Sequence, residues 1–222
     1  MLKNYSDLNA LARDALQEIG NIGTGNALTA LSSMIHQTIH LQTPAVRIVP
    51  YQDAQELLGG AQTVKVGILI ETSGDMNGIF MFLLNETFTR QLLEGVLGKS
   101  TIDLREPDEM SQSAICEIGN IMCCSYINAI ASMTGMQIHV SVPSSCTDMA
   151  GSLLSVPMIH FAQMGDELLF IENCFRINAC DFVSHVLFLQ SFPLLNTCWK
   201  DWEFPNAKEG HRNWRCSDRQ RR

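Results

Sequence analysis

Two stretches of this chain repeat each other 99 residues apart. One begins at Asp14 and reads DALQEIGNIGTGNALTALSSM; the other begins at Ser113 and reads SAICEIGNIMCCSYINAIASM. At that offset Ala15 coincides with Ala114, Glu18 with Glu117, Ile19 with Ile118, Gly20 with Gly119, Asn21 with Asn120 and Ile22 with Ile121. Ala30/Ala129, Ser33/Ser132, Met34/Met133 and Pro44/Pro143 continue the match. Constant spacing over such a length marks an internal duplication, and restricts the chain to folds in which one unit occurs twice.

Each copy opens as a helix. In the first, Leu8, Ala12, Ala15, Leu16, Ile19 and Gly23 share one side, and Ala27, Ala30 and Met34 extend the stripe. Apolar strands follow at 46–49, 64–70 and 78–84, with a turn over 73–77, and a shorter helix from Thr87 to Leu97 closes at Gly98. In the second half, strands are expected at 138–142, 157–161 and 167–171, with Met164-Gly165-Asp166 as the hairpin turn. The expected class is therefore α+β. Two pseudo-twofold-related halves each supply a long helix and a three-stranded antiparallel unit, together forming one mainly antiparallel sheet flanked by helices. The repeats span about 8–98 and 107–190, within a single domain over 1–190.

Charge narrows the function classes. Residues 1–190 hold 8 Lys+Arg against 19 Asp+Glu, whereas 191–222 hold 7 against 4 and all three Trp. The whole chain carries −8, which argues against nucleic-acid binding by counterion release and against a polybasic membrane anchor. No run of apolar residues approaches the length of a membrane span, and the start has no apolar signal core, so a cytoplasmic location without membrane contact is expected. The segment 191–222 reads as an atypical basic, Trp-rich tail, poorly ordered, or as the product of a reading-frame change. The eight Cys, at 116, 123, 124, 146, 174, 180, 198 and 216, contain no C-x-x-C pair. They read as reduced thiols, and the six His show no zinc spacing, so no metal site is expected.

The polar side of the duplicated helix carries the chemistry. Asp14, Glu18 and Asn21 stand four and three residues apart, and Ser113, Glu117 and Asn120 repeat the arrangement. Such spacing places all three on one helical face, opposite the apolar stripe. A single Glu-x-x-Asn is usually just a solvated helix face. The second copy changes that weighting: Gly23 and Gly25 become Met122 and Cys124 there and the apolar pattern runs on, so Asn120 lies mid-helix rather than at a C-terminal cap. Asn in a helix interior costs about half a kcal/mol relative to Ala, and a poor helix former kept in both copies points to function. Reading Gly20–Gly25 as a phosphate-cradling loop would require a preceding strand, where a helical pattern stands instead.

Both copies fit [D/S]-x3-E-x2-N-x22-P, as Asp14, Glu18, Asn21, Pro44 and as Ser113, Glu117, Asn120, Pro143. This resembles the signature of the CheC/CheX/FliY chemotaxis phosphatases over roughly residues 8–197, and the strings EIGNIGTGNALTALSSM and Cys146-Thr147-Asp148-Met149-Ala150 look like the CheC branch. The resemblance implies an aspartyl-phosphate phosphatase acting on the phosphorylated response regulator CheY, a component of two-component signalling. Catalytic residues would be Glu18, Asn21, Glu117 and Asn120. Each Asn amide positions the attacking water and each Glu locks the two proteins in register. Asp14, Pro44, Ser113 and Pro143 support the motif. No cofactor is expected on this chain, since the Mg2+ belongs to the regulator. Asp148, in the segment Asp148–Leu154, resembles the docking contact for the CheD deamidase, and a monomer is expected. The competing class is a non-catalytic adaptor that binds phosphorylated CheY or CheD.

Overall fold

The computed structural model describes residues 10–99, 101–161, 167–178 and 180–190. Leu8, the turn at 164–166 and the segment 191–222 lie outside the described residues. The first long helix, α1, spans Ala10–Ile35, and its repeat, α4, spans Glu109–Thr134, 26 residues each. Asp108 caps the start of α4 by accepting from the Ser111 N–H at 2.8 Å, and Gly135 ends it in the left-handed conformation.

After α1 come β1 (His40–Leu41), β2 (Ala45–Pro50), α2 (Tyr51–Leu57), β3 (Val64–Gly74), β4 (Gly78–Leu84) and α3 (Glu86–Leu97). After α4 come β5 (Ile138–Val140), β6 (Ser144–Met149), α5 (Ala150–Phe161), β7 (Glu167–Ile177) and β8 (Cys180–Gln190). All eight strands join one sheet, and every pairing is antiparallel. The order along it is β1-β7-β8-β4-β3-β5, with β2 also on β7 and β6 also on β3. Exchanging each strand for its repeat counterpart reproduces this order reversed, so the pseudo-twofold axis passes between β4 and β8. The α+β class with duplicated halves is the class expected from the sequence.

The halves exchange strands. β2 pairs with β7 of the second half, Ala45 opposite Glu172, and β6 pairs with β3 of the first, Ser144 opposite Leu69. Each half therefore completes the other's sheet, which a strand pattern read along the chain does not reveal. The two hairpins, β3–β4 and β7–β8, meet at the centre, where β4 pairs with β8. β4 is buried along its whole length because both sheet faces are covered. Phe80, Phe82 and Leu84 face α1, α3 and α4; Ile79, Met81 and Leu83 face α2 and α5.

Three expectations need correction. Residues 157–161, read as a strand, are the end of α5. Ala150, Leu153, Leu154 and Pro157 are buried, a helical spacing that the β-branched and aromatic content of the segment masked. The hairpin of the second half is consequently β7–β8, and α5 is the counterpart of α2. Second, the α1 stripe continues through Leu28, Leu31 and Ile35, while Ala30 is exposed and Met34 only half-buried. Third, α4 is long and apolar enough to cross a membrane by length and composition alone. Most of its apolar stretch is buried within the fold, so the apolar character of α4 serves the core.

The two long helices meet on one sheet face at Gly23. A Cβ there would lie 2.5 Å from Cδ1 of the Tyr126 ring, which is fully buried. The next residue, Thr24, shares a 2.6 Å hydrogen bond with the Tyr126 hydroxyl and donates to Asn173 Oδ1 on β7 at 2.9 Å. This satisfies three polar groups where α1, α4 and the sheet meet. Gly20 and Gly119 provide the corresponding close approach of each helix to the sheet, against Val46 and Ile68. Gly25, two residues beyond Gly23, has nothing within 4 Å of the position a Cβ would take. Gly23→Ala is therefore expected to destabilise the protein by about 2 kcal/mol, as overpacking outweighs the helix-propensity gain. Gly25→Ala should stabilise it by about 0.5–1 kcal/mol. Urea unfolding of the two variants checks the opposite signs.

Candidate functional site

The apolar sides of α1 and α4 are committed to the sheet and to each other, so their opposite sides face solvent. Glu18 and Glu117 are exposed, Asn21 and Asn120 half-buried, and Asp14 and Ser113 exposed. The structure thus brings each Glu/Asn pair together on an accessible face. Asn21 lies well inside α1 and Asn120 well inside α4. The Gly20–Gly25 segment is helix interior, with its backbone N–H groups engaged along the helix, which removes the phosphate-loop alternative.

In the first copy the amide of Asn21 is held at both ends. Its Nδ2 donates to Glu18 Oε2 at 3.4 Å, and its Oδ1 accepts from Gln17 Nε2 at 3.2 Å. Gln17 Nε2 also donates to the carbonyl of Pro44 at 2.9 Å. This gives Pro44 a concrete role. Proline fixes the backbone before β2, and its carbonyl anchors the side chain that touches Asn21.

The second copy keeps the anchor and changes the clamp. Cys116 occupies the position of Gln17, and its Sγ donates to the Pro143 carbonyl at 3.5 Å. Asn120 Oδ1 accepts instead from Cys124 Sγ, one turn further on, at 3.6 Å. Burial and then the Glu117 carboxylate push the Cys124 thiol up, which keeps it protonated and able to donate. Gln112 Nε2 reaches Ser145 Oγ at 2.9 Å and Cys116 Sγ at 3.8 Å.

Among the described residues, the side-chain hydrogen bonds at the two sites run through Gln17, Cys116 and Cys124 rather than through Asp14 or Ser113. Sequence reasoning passed over Gln17 and Cys116, and met Cys124 only as the replacement for Gly25. The available signal was their position, since 17 and 116 immediately precede the paired Glu and stand 27 residues before the paired Pro. Asp148 lies in β6, exposed, with Oδ1 accepting from the Met149 N–H at 2.7 Å just before α5 begins.

Comparison with known proteins fits this geometry. The model of the CheC-like family matches the chain twice, at residues 11–48 and 110–146, once for each helix-and-Pro unit. The CheY-P phosphatase CheC of Bacillus subtilis is 29% identical over 162 residues, 72% of this chain and 78% of that protein. In both repeats the chain is similar to the CheC-like family. The flagellar motor switch phosphatase FliY of Bacillus subtilis is 27% identical over 147 residues, 64% of this chain but 37% of that longer protein. The crystal structure of Thermotoga maritima FliY superimposes with a TM-score of 0.67 at 20% identity, covering 87% of this chain and 96% of that one, a likeness of fold.

A CheC-like arrangement of this kind can do a limited set of things chemically. An amide both donates and accepts, so it can hold one water molecule without bringing charge to an anionic centre. A carboxylate one turn away offers an acceptor to a cation on a partner. Neither residue serves the fold's stability strongly. Asn21→Ala and Asn120→Ala are each expected to leave unfolding free energy within about 0.5 kcal/mol of the parent, because helix propensity gained offsets exposed hydrogen bonds lost. Chemical denaturation measures this directly.

Proposed function

We propose that this chain is a phosphatase for the aspartyl phosphate of a phosphorylated CheY-type response regulator, with Asn21 and Asn120 each positioning an attacking water. The observation that carries the reading is the repeated, outward-facing Glu/Asn pair on two helices whose opposite, apolar sides are buried. Its relatives named CheY-P phosphatase and flagellar motor switch phosphatase support the substrate class.

The mechanism follows from what the substrate already holds. The phosphoryl group, its leaving carboxylate and the Mg2+ belong to the regulator. Phosphoryl transfer needs in-line positioning and charge stabilisation more than covalent chemistry from a second protein. The water oxygen bonds to phosphorus as the acyl P–O bond breaks. The regulator's aspartate leaves as carboxylate, and the water's proton passes to the phosphate released. The Asn amide orients the water, and being neutral it does not repel the phosphoryl oxygens. Glu18 and Glu117 bind a cationic side chain of the regulator and so fix its register on the helix. A CheD-type deamidase would meet the exposed Asp148 at the β6–α5 junction.

Turnover separates this reading from an adaptor. Substoichiometric protein should accelerate phosphate loss from excess phosphorylated regulator. Asn21→Ala and Asn120→Ala should each lower the rate, and the double substitution should reduce it roughly a hundredfold, the scale expected for losing an aligned water. A folded double variant with parental turnover contradicts the mechanism, and protection of the phosphate at stoichiometric protein without turnover indicates the adaptor.

A further inference from the structure

We infer that Gln17 is a positioning residue for Asn21, and that the second site, lacking its equivalent, turns over more slowly. This inference rests on the phosphatase reading. An Asn amide presents a donor end and an acceptor end, and a half-turn about its last torsion exchanges them. Holding a water in one line of attack therefore requires that one end be fixed by the protein. In α1 that task falls to Gln17. Its Nε2 is tethered to the Pro44 carbonyl at 2.9 Å and reaches Asn21 Oδ1 at 3.2 Å. The oxygen is thereby turned toward Gln17 and the Nδ2 toward Glu18, at 3.4 Å. One N–H of Nδ2 and the second lone pair of Oδ1 remain for the water.

In α4 the same carbonyl is engaged at the same sequence distance, but by a thiol. Cys116 Sγ donates to Pro143 O at 3.5 Å. The donor to Asn120 Oδ1 is another thiol, Cys124, at 3.6 Å and from the opposite side along the helix. A thiol is a weak donor, and neither Cys116 nor Cys124 ties the amide to the Pro143 carbonyl as Gln17 ties Asn21 to Pro44. In the first copy Gly25 stands where Cys124 stands in the second, so among the described residues the side-chain donor to Asn21 Oδ1 is Gln17 alone. The duplication has kept the water-holding Asn and its Glu while diverging in what orients them.

The experiment isolates each site. In the Asn120→Ala background only the first site remains, and Gln17→Met keeps the side chain's length while removing its N–H donors. There kcat for phosphate release from phosphorylated regulator should fall five- to tenfold with KM changed less than twofold, the scale of one neutral hydrogen bond. In the Asn21→Ala background only the second site remains, and Cys116→Gln should raise kcat several-fold by supplying the missing donor, an effect that a merely structural role would not produce. Parental kcat in Gln17→Met together with no gain in Cys116→Gln overturns the inference while leaving the phosphatase reading intact. So does a change confined to KM, which would make Gln17 a docking residue. Full turnover by the Asn21→Ala, Asn120→Ala double variant would instead overturn the phosphatase reading and this inference with it.

Discussion

The arrangement of the whole molecule depends on how closely α1 and α4 approach each other at Gly23. The Tyr126 ring occupies the space a side chain would need, and its hydroxyl joins Thr24 and Asn173 in a buried hydrogen-bonded set. That contact lays two long helices side by side on one face of a single sheet. Their apolar sides are consumed by it, and the sides carrying Glu18, Asn21, Glu117 and Asn120 are left outward. The exchange of β2 and β6 between halves reinforces the same geometry, because each helix is followed by a strand hydrogen-bonded to the other half's hairpin. A site built on such helices is held by the rigid part of the fold rather than by loops.

The duplication made two sites, and their surroundings have drifted apart. What persists is the Glu, the Asn and a Pro carbonyl that receives a donor from the residue preceding the Glu. What differs is the donor itself, an amide in one copy and a thiol in the other. On the proposed reading, a partner protein that supplies most of the reacting groups tolerates such drift, since this chain would only orient water and fix register.

Much of this was legible in the sequence because the duplication supplied an internal control. The offset of 99 identified the Glu/Asn pairs, and the replacement of Gly23 and Gly25 by Met122 and Cys124 in the second copy placed Asn120 mid-helix. The long helices, the strands of the first half and the closure of α3 at Gly98 followed from periodicity and turn residues. The fate of 157–161 did not follow, because an apolar run containing Pro157 reads as a strand until its burial is seen at helical spacing. The strand exchange was invisible, since pairing partners drawn from distant parts of the chain leave no local pattern. Gln17 and Cys116 were missed because they do not coincide across the repeats; their shared role lies in reaching the same carbonyl, which only the structure brings within range.

The central claim is that the outward faces of α1 and α4 enter the regulator's phosphorylation site. It is tested most directly by a crystal structure of this chain bound to a CheY-type regulator activated with beryllofluoride. The account predicts Asn21 or Asn120 within hydrogen-bonding reach of a water in line with the beryllofluoride, and the paired Glu against a regulator cation. A regulator seated instead on the α2–α5 face, with both Asn side chains still open to solvent, would contradict it.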